Sequence, residues 1–394
     1  MGWRDSMMFS NLAEEFTGEQ HPLYALKQEL SSKGETIIDL VRGNVNDHGI
    51  VFPEKLLGEI LQESAAACLR YKPDPFGQLA ARESIASYYK SLNLNANQIV
   101  LTPGTSVSFW YCFKLLAQPG DEVLCPIPSY PLLDYIAKLC DIRLINYRLI
   151  ESQGWEIDLE HLAKQINPKT KAIVLISPHN PSGMVCADQA IAGLVELARK
   201  YNLPIISDEV FAEFLFERET LPRVAAADAP LVFTLNGFSK TFALPGLKLG
   251  WIAVSGEKAL QSRSLSVLET ISDTFLPVSE IAQHAVAKIF GQGGAFLADY
   301  RARVKRLRQI AVNTLSGLDF VPPQGGFYLT LKLNDEEEEF AMQLLREQKI
   351  LVHPGHFYEL AGDHLVMTFI HDEKSVEDSF ARIKSCATKQ KGNV

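Results

Sequence analysis

The sequence predicts an α/β protein: a large lobe built on a mostly parallel sheet flanked by helices, plus a smaller α+β lobe. Three observations carry that expectation. From Gln98 onward, short apolar runs alternate with helical patterns, as they do when parallel strands are joined by crossover helices. The chain has 394 residues with 47% hydrophobic content, enough to bury two sizeable cores. Three successive apolar runs also end on polar residues, at the kind of sheet edge where ligands bind.

Residues 1–50 read as an arm and the start of the small lobe, with a helix over 22–31 and a short strand over 36–41. Residues 51–285 form the large lobe. Its first helix covers 53–70, where Pro53 suits a first turn because its missing N–H would have no partner there. A second amphipathic helix covers 77–91. Then follow a strand at 99–101, a helix at 107–116, a strand at 122–125 and a helix at 132–140. A strand at 142–150 and a helix at 159–166 continue the alternation. The apolar runs 172–176, 203–206 and 231–235 read as buried strands. The large lobe closes near 276–290. Residues 286–394 form the small lobe, with a long basic helix over 294–315, a strand entered through Gly325 and Gly326, a helix over 339–348 and a strand within 363–370. The acidic run 335–339 suits the positive end of its helix.

Charged residues make up 22% of the chain and the net charge is -9, which argues against a nucleic-acid surface. Cys68, Cys112, Cys125, Cys140, Cys186 and Cys386 form no Cys-x-x-Cys pair or Cys/His cluster, so reduced thiols in a cytoplasmic protein are expected and a metal site is not. The sequence shows no signal segment and no apolar stretch long enough to span a membrane. The first six residues match an N-myristoylation pattern in form. Nothing polybasic follows to make a second anchor, so the match is read as chance.

The chemistry centres on Lys240, in Asn236-Gly237-Phe238-Ser239-Lys240-Thr241, just after a strand-like run. A lysine among small residues at such an end is desolvated, and burial favours its neutral amine, which can attack an aldehyde carbon to form a Schiff base. Asn180, in Ser177-Pro178-His179-Asn180-Pro181-Ser182-Gly183, and Asp208, in Ser207-Asp208-Glu209-Val210-Phe211, follow the two preceding runs. Alone, Asn180 would be a turn residue and Asp208 a helix cap. Taken with Lys240, they line one rim in order. In order and context these motifs resemble the class I/II aminotransferases, the fold-type I enzymes of pyridoxal 5'-phosphate, from about residue 40 to the C-terminus.

That resemblance implies pyridoxal 5'-phosphate as cofactor, with Lys240 as its covalent anchor and as the base that moves the substrate's α-proton. It implies Asp208 as partner of the ring nitrogen, leaving Glu209 as a surface group, and Asn180 as donor to the phenolic oxygen. Gly104, Thr105 and Ser106 would cradle the phosphate with helix N-terminal N–H groups, aided by Ser239 and Lys248. Tyr130 would cover the ring, though packing at a helix start explains it equally well alone. Tyr71 would cross a dimer interface to the partner's phosphate, so that a homodimer shares its sites. Gly43 and Asn44 would lie over the substrate.

Four positions depart from the family pattern. Lys248 stands where arginine is usual, keeping the charge but losing the fork. Gly237 stands where many relatives have a hydroxyl, which Ser239 would supply instead. Phe211 replaces a tyrosine beside the phenolic oxygen. Val366 falls on the substrate side, where an arginine usually grips the α-carboxylate, and the neighbouring Met367 is no better. Arg42, His48 or His356 would have to replace that cation, or the substrate is an amine or modified amino acid. The expected activity is ping-pong amino-group transfer between a small-molecule amino donor and an oxo-acid acceptor. A lyase or decarboxylase on the same fold and a non-catalytic sensor are the rivals.

Overall fold

The computed structural model describes residues 8–10, 12, 16, 20–276, 278–334, 336–360 and 362–391. The N-terminal myristoylation-like pattern and Asp335 lie outside them. Helix α1 (Pro22–Ser32) starts on Pro22, and His21 caps it by accepting from the Leu23 N–H through Nδ1 at 3.2 Å. The two-residue strand β1 (Ile38–Asp39), α2 (Glu54–Ala67) and α3 (Leu79–Tyr88) follow. The alternation then runs β2 (Ile99–Thr102), α4 (Thr105–Leu116), β3 (Glu122–Ile127), α5 (Leu132–Leu139), β4 (Arg143–Ile150) and β5 (Glu156–Ile157). It continues through α6 (Leu159–Gln165), β6 (Thr170–Ile176), α7 (Asp188–Tyr201), β7 (Ile205–Asp208) and β8 (Leu231–Gly237). A short helix α8 (Phe238–Thr241) leads to β9 (Gly250–Gly256), α9 (Lys258–Phe275) and α10 (Glu280–Gln292).

Eight strands form one sheet in the order β2-β9-β8-β7-β6-β3-β4-β5. The inner strands pair in parallel, whereas β9 is antiparallel to both its neighbours and β5 is antiparallel to β4. The expectation of a mostly parallel sheet is borne out. Along β6, Ala172, Val174 and Ile176 pack on one face, and Ile173 and Leu175 on the other. A strand of period two buried on both sides must be apolar throughout, which is why it reads as a continuous run. Helices α4, α5 and α9 cover the first face and α7 the second, while α2, α3 and α10 close over Leu101 and Trp251.

Helix α11 (Gly294–Thr314) leads to β10 (Tyr328–Lys332), α12 (Glu337–Gln343), β11 (Ile350–Leu351), β12 (His353–Pro354), β13 (His364–Thr368) and α13 (Glu373–Lys391). A three-stranded antiparallel sheet has the order β10-β13-β12, and β11 pairs with β1. Leu329, Leu331, Leu365 and Met367 pack there against α1, α11 and α13. Glu337 does more than face a helix dipole. It is buried, its Oε1 accepting from His356 N at 2.7 Å and its Oε2 from His364 N at 2.9 Å. Among the described residues no helix is long and apolar enough to cross a membrane.

Glu209 is not a surface group. It is 1% exposed, and its Oε2 accepts from Arg223 Nε at 2.8 Å, while the guanidinium lies 5.5 Å over the Tyr89 ring. Burial pushes the carboxyl pKa up and Arg223 opposes that shift. Removing one member of such a pair strands the other charge, at about 3–5 kcal/mol. Arg223→Ala is therefore expected to lower stability by about that amount, read from the urea midpoint at unchanged slope. A loss below about 1 kcal/mol would show that Glu209 finds another partner or takes up a proton cheaply.

Candidate active site

The strand order reverses between β6 and β3, and in such sheets the ligand crevice lies at that reversal, outside the carboxyl ends of the strands. A cavity of ≈ 130 Å³ opens there. Ile176 comes to it from the end of β6, Asn180 from the following turn, Asp208 from the end of β7, and Gly237, Ser239 and Lys240 from the β8–α8 junction. Tyr130 arrives after β3, and Gly104, Thr105 and Ser106 from the start of α4.

Lys240 Nζ donates to the Gly43 carbonyl at 2.9 Å and lies 5.8 and 5.7 Å from the ring centroids of Phe211 and Phe327. Burial lowers its pKa to about 8. Gly43 has to be glycine, because a Cβ there would collide with the Tyr328 hydroxyl. Asp208 is pushed up to about 7, chiefly by burial, although Oδ1 accepts from Val210 N at 3.0 Å. The Oδ1 of Asn180 is buried without a hydrogen-bond partner among the described residues. Such an amide is costly unless a ligand answers it.

At the start of α4, Gly104 takes φ 120, and a Cβ there would meet nothing within 4 Å. The first N–H groups of a helix have no partners within it, so Thr105 and Ser106 offer donors to an anion. Thr102 Oγ1 and Ser108 Oγ, 2.7 Å apart, hold the turn.

The structure brings together Lys240, Asp208, Asn180, Gly104, Thr105, Ser106, Tyr130, Phe211 and Ser239. The other four sequence candidates stand apart, besides Gly43, which touches Lys240. Lys248 is exposed, in the left-handed region at φ 50. Tyr71 is 74% exposed and Asn44 is exposed. Val366 is buried in β13, opposite Thr330 and His353, and is not among the residues lining the cavity. Tyr328 was not foreseen. It lines the cavity, and its ring lies 6.3 Å from that of Phe211. The signal was there in an aromatic at the entry of a strand after two glycines. Val210 and Leu249 also line the cavity, and nothing distinguishes them in sequence from core residues.

Residues 36–383 match the family model described as aminotransferase class I and II. The chain is 28% identical over 383 residues to a glutamate-pyruvate aminotransferase of Haemophilus influenzae, covering 92% of this chain and 93% of that one. It is 29% identical to an alanine aminotransferase of Mycobacterium bovis, over 87% of this chain and 84% of that one. Its fold matches the solved alanine aminotransferase of Pyrococcus furiosus with a TM-score of 0.89 at 24% identity, over 97% of this chain and 100% of that one.

Because the folded pKa of Asp208 is raised from 3.8 to about 7, the folded ligand-free protein holds a proton there that the unfolded chain releases. Its stability therefore falls as pH rises through that window. The gap in urea midpoint between Asp208→Asn and the native protein should open from about pH 4 to pH 7 and then level off. A gap that is constant across the window would contradict the assignment.

Proposed function

The chain belongs to the class I and II aminotransferases, and from that premise we propose that Lys240, Asp208 and Asn180 hold pyridoxal 5'-phosphate while the enzyme moves an amino group between an amino acid or amine and an oxo acid. The observation that carries this reading is the Lys240 amine, lowered to about 8 by burial and fixed beside the Gly43 carbonyl. The donor set fits the cofactor on three counts. Asn180 has an amide with a buried, unanswered end, which can turn to offer its N–H to an oxygen. Asp208 has a carboxyl raised by burial, whose ionised form a cationic N–H would restore. The start of α4 leaves open space over Gly104 for an anion.

When bound, pyridoxal 5'-phosphate supplies an aldehyde carbon for an amine and a ring that accepts the electron pair left at the substrate's α-carbon. Lys240 Nζ, in its neutral form, would be the group that holds the cofactor, and its amine would be the base that takes and returns the α-proton. The Gly43 carbonyl keeps Nζ pointed to one side of the cavity. Phe211 and Phe327 keep water from it. Ser239 would add a hydroxyl to the phosphate cradle of Gly104, Thr105 and Ser106, with which it lines the cavity, whereas Lys248 would have to swing in from its exposed position to add a charge. Tyr130, which lines the cavity, would cover the ring. Gly43, whose carbonyl holds Lys240 Nζ, would lie beside the substrate.

The exposure of Tyr71 supports a homodimer in which Tyr71 serves the partner's site. Six free thiols support a cytoplasmic enzyme. The alanine and glutamate-pyruvate aminotransferases among the relatives favour an α-amino donor and an oxo-acid acceptor. Lys240 is the one cation among the residues lining the cavity. A second carboxylate would be unpaired there, at about a few kcal/mol, which ranks aspartate and glutamate behind neutral donors.

Nitrogen-15 from the donor is expected in the product amino acid, and a cofactor-loaded sample reduced with borohydride should carry its label on the peptide holding Lys240. Lys240→Ala should lower turnover about a thousandfold or more. Label on another lysine, or ammonia released without transfer, would overturn the reading.

A further inference from the structure

We propose that Cys68, Glu280 and His284 form a binding site for one divalent transition-metal ion, zinc foremost, which fastens the end of α2 to the start of α10. The sequence holds no local Cys/His cluster, but folding assembles this one from distant parts of the chain. A thiol sulfur, a carboxylate oxygen and an imidazole nitrogen all lie within 4.8 Å of one another. Zinc bonds of about 2.3 Å to sulfur and about 2.0–2.2 Å to nitrogen and oxygen put tetrahedral ligands about 3.4–3.6 Å apart. The trio is therefore at most about 1.4 Å too open, which rotation of the flexible Glu280 side chain takes up.

The two helices hold the three side chains together. Cys68 ends α2, its N–H donating to the Ala65 carbonyl. Glu280 and His284 stand four residues apart at the start of α10 and so share one face. All three are half-buried. Their ligand atoms are also little committed among the described residues. Cys68 Sγ donates to the Ser64 carbonyl at 3.3 Å, a weak bond for a thiol. Glu280 Oε1 accepts from Lys72 N at 3.3 Å, which leaves Oε2 open, and no cationic side chain pairs with this carboxylate. His284 makes no hydrogen bond there. A positive ion among the three would answer a carboxylate that has no other counter-charge.

The ligand types select the ion. A thiolate favours zinc and its neighbours over magnesium and calcium, which take oxygen. As the sulfur–zinc bond forms, the S–H bond breaks and its proton passes to solvent, so no oxidant or reductant is needed. Water fills the fourth position. A second trio, His21, Glu338 and His356, is less suited. His21 Nδ1 accepts from the Leu23 N–H at 3.2 Å, so the ring proton sits on Nε2, the nitrogen that faces Glu338, and no lone pair is left there for a metal. At the Cys68 site the ion would act on the loop that carries Tyr71. That loop already hangs on α10 through Lys72 N and through Gln78 N, which donates to Gln283 Oε1 at 2.6 Å. The metal ties its first residues to the same helix.

The test titrates zinc into the cofactor-loaded enzyme after dialysis against a chelator. One ion per chain should bind with a dissociation constant of about 1 μM or below, releasing about one proton. Cobalt in place of zinc should give the near-ultraviolet charge-transfer band of a thiolate ligand. Cys68→Ser should abolish that band and weaken zinc at least about tenfold, and Glu280→Gln and His284→Ala should each weaken it by a similar factor, whereas His356→Ala should leave it unchanged. Zinc at a hundred times its dissociation constant should raise the native folding equilibrium about a hundredfold and that of Cys68→Ser far less. No binding at about 0.1 mM zinc, a cobalt complex without the thiolate band, or zinc affinity undiminished in Cys68→Ser would overturn the proposal. None of these outcomes bears on amino-group transfer.

Discussion

An amine held out of water is the constraint on which the site depends. Ammonium is strongly hydrated, and a lysine chain brought among aromatic rings gives up part of its proton affinity. Around Lys240 the rings of Phe211 and Phe327 replace water, and one carbonyl, that of Gly43, offers the Nζ a hydrogen bond. The result is an amine that gives up its proton at about pH 8 on a side chain that otherwise titrates far above it.

Keeping that environment requires parts of the chain that are distant in sequence. Gly43 lies before the first long helix of the large sheet's framework, while Phe327 and Tyr328 enter from the second sheet. The contact between them depends on small residues. Gly43 admits the Tyr328 hydroxyl. Gly325 would collide with Pro178 and the Phe214 carbonyl if it carried a Cβ, and Gly326 takes φ 76. The second sheet is thus pressed directly onto the turn that carries Asn180, and the cavity lies at the junction. Asp208 and Lys240 need no such help, because parallel strands deliver their ends to one edge.

This difference explains what could be read from the sequence. Asn180, Asp208 and Lys240 were legible because each follows an apolar strand whose direction topology dictates. The helices of the large sheet were legible for the same reason. Strand β9 was not read, since it is antiparallel in a parallel setting and is bounded by Gly250 and Gly256. The buried pairing of Glu209 with Arg223 and the double service of Glu337 were invisible, because long-range partners of a carboxylate leave no local pattern. The position of Val366 illustrates the limit. Its register could be matched, yet its burial opposite Thr330 and His353 is a property of the assembled sheet. Tyr328 faces the cavity for a reason of packing rather than of motif.

The central claim is that the Lys240 amine is tuned by burial, and its titration tests that most directly. Isotope-labelled lysine side chains, followed by nuclear magnetic resonance across pH in cofactor-free protein, should show one amine titrating at about 8. That signal should vanish in Lys240→Ala. An Nζ of Lys240 that titrates with the surface lysines, near about 10.4, would contradict the account.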